Sequence, residues 1–342
     1  MQKMKAIVKE KEGPGFVFRE VDYPKPAVGS VTIKVEAVGI CGSDIPVFDG
    51  RQKLPILPYV PGHEFSGTIY QKGKDVKGFE MRDRVAVGLV VNCGDCYFCR
   101  LGEETMCDNS KLIGCNYING AFAEYIAVPI QALHRLPDSL SYEKGASIDP
   151  VASAYRPIKK ACITSEDTVA IVGAGAIGLY ALQLTRCEGA WQTIVIDTID
   201  KRLKVAKDLG ATHVIDINKE DPLDALKRIT EDRLADVVIE ATGNPKAVNS
   251  CLSYARKQGR VILIGIFHEF ANLDVHDIVV RELKVFGSLC YTWEEYEHCL
   301  HLLEKKKVVS DPIITHVLSL SEMEKALQLI KTREAIKVVL KP

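Results

Sequence analysis

Hydrophobic and polar positions follow two different rhythms along this chain, and the change falls near residue 153. Beyond it, short apolar runs alternate with helical patterns. Thr168 to Val172 is a run of mostly β-branched residues and reads as a buried strand. Ala176 to Arg186 follows as a helix. The same order recurs through Thr193–Asp197, Lys201–Leu209, His213–Ile215, Asp221–Thr230, Asp236–Glu240, Pro245–Lys257 and Arg260–Ile264, with a strand near Lys284–Ser288. That alternation predicts an α/β, doubly wound parallel sheet with right-handed crossovers.

Before residue 153 the runs are short and β-like: Lys5–Lys9, Val31–Val38, Phe65–Tyr70, Arg84–Val91 and Phe122–Val128. Gly, Pro and charged turns separate them, as in an antiparallel, barrel-like domain. After residue 292 come a helix at Trp293–Lys306, a strand at Ile313–Leu318, a helix at Ser321–Lys331 and a strand at Ile336–Leu340. Ser321 with Glu324 spells an S-x-x-E capping box. The tail is expected to return to the first domain. The expected division is residues 1–152 with 292–342, and residues 153–291.

Three glycines, Gly173, Gly175 and Gly178, follow the Thr168–Val172 strand at G-x-G-x-x-G spacing. Gly173 permits the tight turn, Gly175 lets backbone approach a pyrophosphate, and Gly178 allows close helix–strand packing. Ala176 and Ile177 open the helix, whose free N–H groups face the phosphates. Asp197 ends the next strand about 20 residues on, where an acid meets ribose hydroxyls. Its charge repels a 2′-phosphate, so NAD is expected over NADP. Arg202 is expected near the adenosine. Thr242, Ile264 and Gly265 lie at later strand ends, on the ligand-binding face of such a sheet.

Net charge is −1, and charged residues make up 26% of the 342. No basic cluster argues for nucleic acid. The start of the chain shows no apolar leader run, and no run of about 18 apolar residues predicts a membrane span. A cytoplasmic location is expected. Eleven cysteines then point to metal or free thiols rather than disulfides.

Cys93, Cys96, Cys99 and Cys107 form C-x2-C-x2-C-x7-C. Four thiolates so spaced can close a tetrahedral shell around a structural zinc. An iron–sulfur cluster and four free thiols are the alternatives. Cys41 in GICGSD, His63 and Glu64 in PGHEFSG, and Asp149 in SIDPVASA carry good zinc donors too, but spacing alone does not pair them. Cys115, Cys162, Cys187, Cys251, Cys290 and Cys299 read as small apolar residues.

With these motifs in this order, the whole chain resembles the zinc-dependent medium-chain dehydrogenases, the superfamily of alcohol, sorbitol and threonine dehydrogenases. CGSDIP and GHEFSG look most similar to galactitol-1-phosphate and related polyol dehydrogenases. The resemblance implies a GroES-like catalytic domain and a Rossmann domain. They would set metal and cofactor on opposite walls of one cleft. It implies two zincs per chain and NAD-linked oxidation of a secondary alcohol. Cys41, His63, Asp149 and a mobile Glu64 would attend the catalytic zinc. Ser43 would start the proton relay, and Ser153 would lie near the nicotinamide. Many members place a His at the relay's end, where this chain has Pro46. That absence weakens a threonine or simple-alcohol reading, which stays as the alternative. A zinc-free reductase and a non-enzymatic zinc module are more remote. If the substrate carries a phosphate, Arg51, Lys53, Arg100 and Lys111 are candidates by location. A homodimer or homotetramer is expected, with the strand near Val285–Leu289 at the axis.

Overall fold

The computed structural model describes residues 2–52 and 54–342. Lys53 lies outside them. The chain divides into two compact units: residues up to Asp149 with Thr292–Pro342, and Pro150–Tyr291.

In the second unit six parallel strands run in the order His213–Asp216, Gln192–Asp197, Thr168–Val172, Ala235–Glu240, Ala255–Leu263 and Lys284–Gly287. The first strand in sequence is central, so the order reverses beside it. All five of its residues are buried, as expected when helices cover both faces of a parallel sheet. Gly173 follows at a φ of +104°, open to glycine at little cost. Helix Ala176–Cys187 then packs so tightly that a Cβ at Gly178 would overlap the Gly173 carbonyl oxygen.

The first unit is built on a seven-stranded sheet. Ile314–Ser319, Lys337–Lys341, Ser30–Gly39, Glu64–Lys72, Arg84–Val87 and Leu133–Arg135 lie in that order, and Tyr125–Pro129 also pairs with Ser30–Gly39. Every pairing is antiparallel except that of Ile314–Ser319 with Lys337–Lys341. Ile33, Phe65, Ile69, Val85, Phe122 and Leu340 share one core. The strands that carry the metal-site segments are thus packed from both chain ends.

Several local expectations are corrected. The helix from Pro245 stops at Tyr254, and Ala255–Leu263 is strand. Past Ala255, residues Arg256, Lys257 and Gln258 offer no apolar position to continue the helical face, while Ala255 pairs with Ala235 and Arg256 Nε reaches Asp236 Oδ1 at 2.5 Å. The capping box belongs to Ser319 and Glu322, not Ser321 and Glu324. A 3-10 turn, Leu320–Glu322, buries Leu320 and leads into the helix Met323–Lys331, so the cap lies two residues earlier than expected. Arg84–Val91 is interrupted, with strand only at Arg84–Val87 and Val90–Val91. Helix Ile148–Ala161 was not expected, because Pro150 and Pro157 punctuate it.

The Gly178 contact predicts a graded response. Gly178→Ala should cost about 1–3 kcal/mol through overpacking, lowering the thermal midpoint by several degrees. Gly175→Ala should change stability by less than about 0.5 kcal/mol, because the nearest atom to its Cβ is Arg202 Nη1 at 4.0 Å. Thermal unfolding of both variants checks the ranking.

Candidate active site and metal centres

Register assembles the first donor set. Gly39, at the end of its strand, pairs with Glu64 at the start of the next. Cys41 lies two residues past Gly39, and His63 one before Glu64. Donor atoms of Cys41, His63 and Glu64 lie within 4.8 Å of one another. His63 and Glu64 are buried and Cys41 half-buried. Asp149 is buried at the start of helix Ile148–Ala161, but it is not part of this three-donor group.

Three further residues shape the set: Asp44 and Lys337 do not stand out in the sequence, and Cys115 reads there as a small apolar residue. Buried Asp44 accepts the Cys41 N–H at 2.8 Å, and burial pushes its carboxyl up to about 6. Lys337 Nζ contacts Glu64 Oε2 in a buried ion pair and donates to the Ile40 carbonyl at 2.9 Å. The signal was a lysine inside the apolar run AIKVVL, since buried lysine is rare unless paired. Cys115 Sγ lies 3.4 Å from His63 Nδ1. Burial opposes a charge on the His63 ring, yet Cys115 and Cys41 favour it more, leaving its pKa well above the usual histidine value. Thiol, imidazole and carboxylate suit zinc.

Ser43 is half-buried at the N-cap of helix Asp44–Phe48, and its hydroxyl makes no hydrogen bond among the described residues. Pro46 is buried inside that helix. It has neither an N–H nor a titratable group.

The second donor set is Cys93, Cys96, Cys99 and Cys107, again within 4.8 Å. Four sulfurs about 2.3 Å from a tetrahedral zinc sit about 3.8 Å apart. Cys93 Sγ is 3.9 Å from Cys99 Sγ and 3.5 Å from Cys107 Sγ. Backbone N–H groups of Cys99 and Asp108 are among the influences that hold the Cys96 thiol down at about 6, which favours a thiolate donor. Of the cysteines outside both sets, Cys251 and Cys299 are buried. Cys162 and Cys187 are exposed, so neither packs as an apolar core residue.

In the second unit, Asp197 Oδ2 accepts the Ala174 N–H at 2.6 Å, and Oδ1 accepts those of Thr198 and Ile199 at 2.7 and 2.9 Å. A carboxylate has about four acceptor sites, so this one organises the glycine loop and keeps capacity for a hydroxyl. Arg202 sits beside Gly175. A Cβ on Gly173 would come 2.7 Å from Thr242 Cγ2, which brings the first and fourth strand ends together. Glu240 Oε1 accepts the N–H groups of Thr242 and Gly243 at 2.7 and 2.9 Å, holding that turn beside Gly265. Ile264 and Ile177 are half-buried near these strand ends, and Ser153 is half-buried on helix Ile148–Ala161.

Residues 27–138 match the family model of the alcohol dehydrogenase GroES-like domain. Residues 176–305 match that of the zinc-binding dehydrogenases. The chain is 35% identical to a sorbitol dehydrogenase of Halalkalibacterium halodurans over 99% of both chains. It is 34% identical to an L-threonine 3-dehydrogenase of Pyrococcus horikoshii, covering 99% of this chain and 98% of that one. The crystal structure of galactitol-1-phosphate dehydrogenase from Escherichia coli superposes with a TM-score of 0.88 at 29% identity, over 99% of this chain and 100% of that one.

The buried Glu64–Lys337 pair carries a prediction of its own. Lys337→Met leaves a buried carboxylate without its cation and should cost about 3–5 kcal/mol. The double variant Glu64→Gln with Lys337→Met should recover part of that loss. Urea unfolding of the single and double variants measures both.

Proposed function

The chain belongs to the zinc-dependent medium-chain dehydrogenases, and on that premise we propose that it oxidises a secondary alcohol of a polyol or sugar alcohol to the ketone with NAD. The observation that carries this reading is a pair of donor sets of different kind. One is a closed four-thiol set. The other is a thiol–imidazole–carboxylate set, whose smaller number of donors would leave a tetrahedral position for substrate.

Zinc in the second set supplies a Lewis acid that lowers an alcohol's pKa, and NAD supplies the hydride acceptor. The chain's own residues do the rest. Cys41 and His63 hold the metal. Glu64 stays beside it, restrained by Lys337, and Asp149 stands by as a further carboxylate. The uncommitted Ser43 hydroxyl takes the alcohol proton. Pro46 blocks the path along that helix, so the proton leaves through water or the cofactor's ribose hydroxyls. Asp197 accepts from the adenosine ribose, and its fixed charge disfavours a 2′-phosphate. Ser153, Thr242, Ile264 and Gly265 border the nicotinamide half.

Polyols are favoured over threonine because Pro46 replaces the relay histidine and because a vicinal hydroxyl can also reach the metal. A substrate phosphate finds little support. Arg51 pairs with Asp49 at 3.0 Å, Arg100 bonds the Asp95 carbonyl, and Lys111 is exposed. The free edge strand Lys284–Gly287, with exposed Val275, Val279 and Val280 nearby in sequence, suits a second copy of the chain in a homodimer or homotetramer. Eleven free cysteines suit a reducing compartment such as the cytoplasm.

NADH formation with sorbitol, xylitol, galactitol and its 1-phosphate, threonine, butane-2,3-diol and propan-2-ol tests the reading. Turnover is expected with a polyol in native protein and should fall below detection in Cys41→Ser. Turnover of threonine alone would overturn the polyol assignment, and turnover that survives Cys41→Ser would overturn the catalytic zinc.

A further inference from the structure

We propose that Cys115 is a positioning residue that orients His63 toward the catalytic metal, accepting a hydrogen bond from the ring nitrogen that does not bind the ion. The inference rests on the proposed reading in which Cys41 and His63 hold that metal, with Glu64 beside it.

A neutral imidazole carries one N–H. When one nitrogen binds a metal, the other holds the proton and needs an acceptor. The usual acceptor is a carboxylate, a backbone carbonyl or water. Here Nδ1 meets the Cys115 sulfur at 3.4 Å, which leaves Nε2 for the metal. Asp44 also lies near the ring and accepts the Cys41 N–H through Oδ2 at 2.8 Å, but the ring nitrogen in hydrogen-bond contact is the one that meets Cys115.

The loop that carries Cys115 is held firmly against His63. The Asn116 N–H donates to the Leu112 carbonyl at 3.0 Å, and Asn116 Oδ1 accepts the Leu112 N–H at 2.7 Å. Gly114 presses on the Gly62–His63 backbone so closely that a Cβ there would come 3.0 Å from the His63 nitrogen. Ala121 donates to the Gly62 carbonyl at 2.8 Å from the other end of the same loop. The backbone segments that carry the thiol and the ring are therefore held against each other.

The experiment compares native protein with Cys115→Ser, Cys115→Ala and Cys115→Val. The readouts are zinc content, zinc release to a chromogenic chelator, and the visible spectrum of cobalt(II)-substituted protein. Loss of the acceptor in Cys115→Ala should weaken retention of the catalytic metal about 10- to 100-fold and shift the cobalt ligand-field bands. Cys115→Val fills the thiol's space without an acceptor and carries the same expectation should the alanine protein not fold. Cys115→Ser keeps an acceptor and should stay within about threefold of native. The four-cysteine zinc should be released at the native rate in every variant.

Native retention and native bands in Cys115→Ala or Cys115→Val would overturn the assignment. So would loss of thiolate-to-cobalt charge transfer in Cys115→Ser, which would make Cys115 a ligand instead. Native protein that binds one zinc rather than two would overturn the catalytic-zinc reading itself, an outcome separate from either of these.

Discussion

The buried ion pair between Glu64 and Lys337 is the constraint on which the first unit turns. Lys337 opens the last strand of the chain, yet its ammonium reaches the carboxylate next to His63 and the carbonyl next to Cys41. Gly39 makes the approach feasible, since a Cβ there would overlap Glu64 Oε2 and come 3.0 Å from Lys337 Cε. The last strand is held in place by pairing Val339 with Gly39 and Leu340 with Val38. Burying two charges seldom adds net stability, although removing one partner is costly. The pair is better understood as a device that fixes position. It admits the C-terminal strand in one register and holds the Glu64 carboxylate on the lysine side of the metal segment.

A related device operates in the second unit. The Asp197 carboxylate spans from its own strand end to the Ala174 N–H within the glycine loop. Glu240 does the same for the Thr242–Gly243 turn two strand ends away in sequence. In both cases a carboxylate at a strand end gathers backbone N–H groups that a tight turn leaves unpaired. The ligand-facing edge of the sheet is therefore shaped by side chains belonging to the sheet itself. Pyrophosphate and ribose would then meet a surface already organised, which lowers the ordering cost of binding.

The sequence was most legible where one element could be recognised without its partners. Thr168–Val172 is such a case, because a strand buried on both faces is apolar at every position. The glycine loop is another, since its residues do mechanical work within a few positions of one another. The first unit was harder to read. Val17–Asp22 is mostly exposed and Leu133–Arg135 is three residues long, so neither carries enough burial to show as a pattern. Lys337 and Cys115 were missed for a different reason. Their significance lies in contacts 273 and 52 residues away along the chain. A lone cysteine in IGCNY looks like packing until the loop is folded onto Gly62.

The two donor sets place opposite demands on their surroundings. From Cys93 to Ser110 the only buried residue is Cys107, and the one α-helix, Tyr97–Arg100, has four residues. Such a lobe has no hydrophobic core to set its shape. With Tyr97, Leu101 and Met106 turned to solvent, the bound ion must supply the folding energy that burial supplies elsewhere. His63 and Glu64, in contrast, lie on buried backbone whose register would persist without an ion. Their neighbours Asp44, Cys115 and Lys337 set the geometry around them. On the proposed reading one metal would be a structural element of its lobe, while the other would be a reagent delivered to a place already built. A closed shell of four thiols suits the first role. A smaller, mixed set with polar neighbours suits the second.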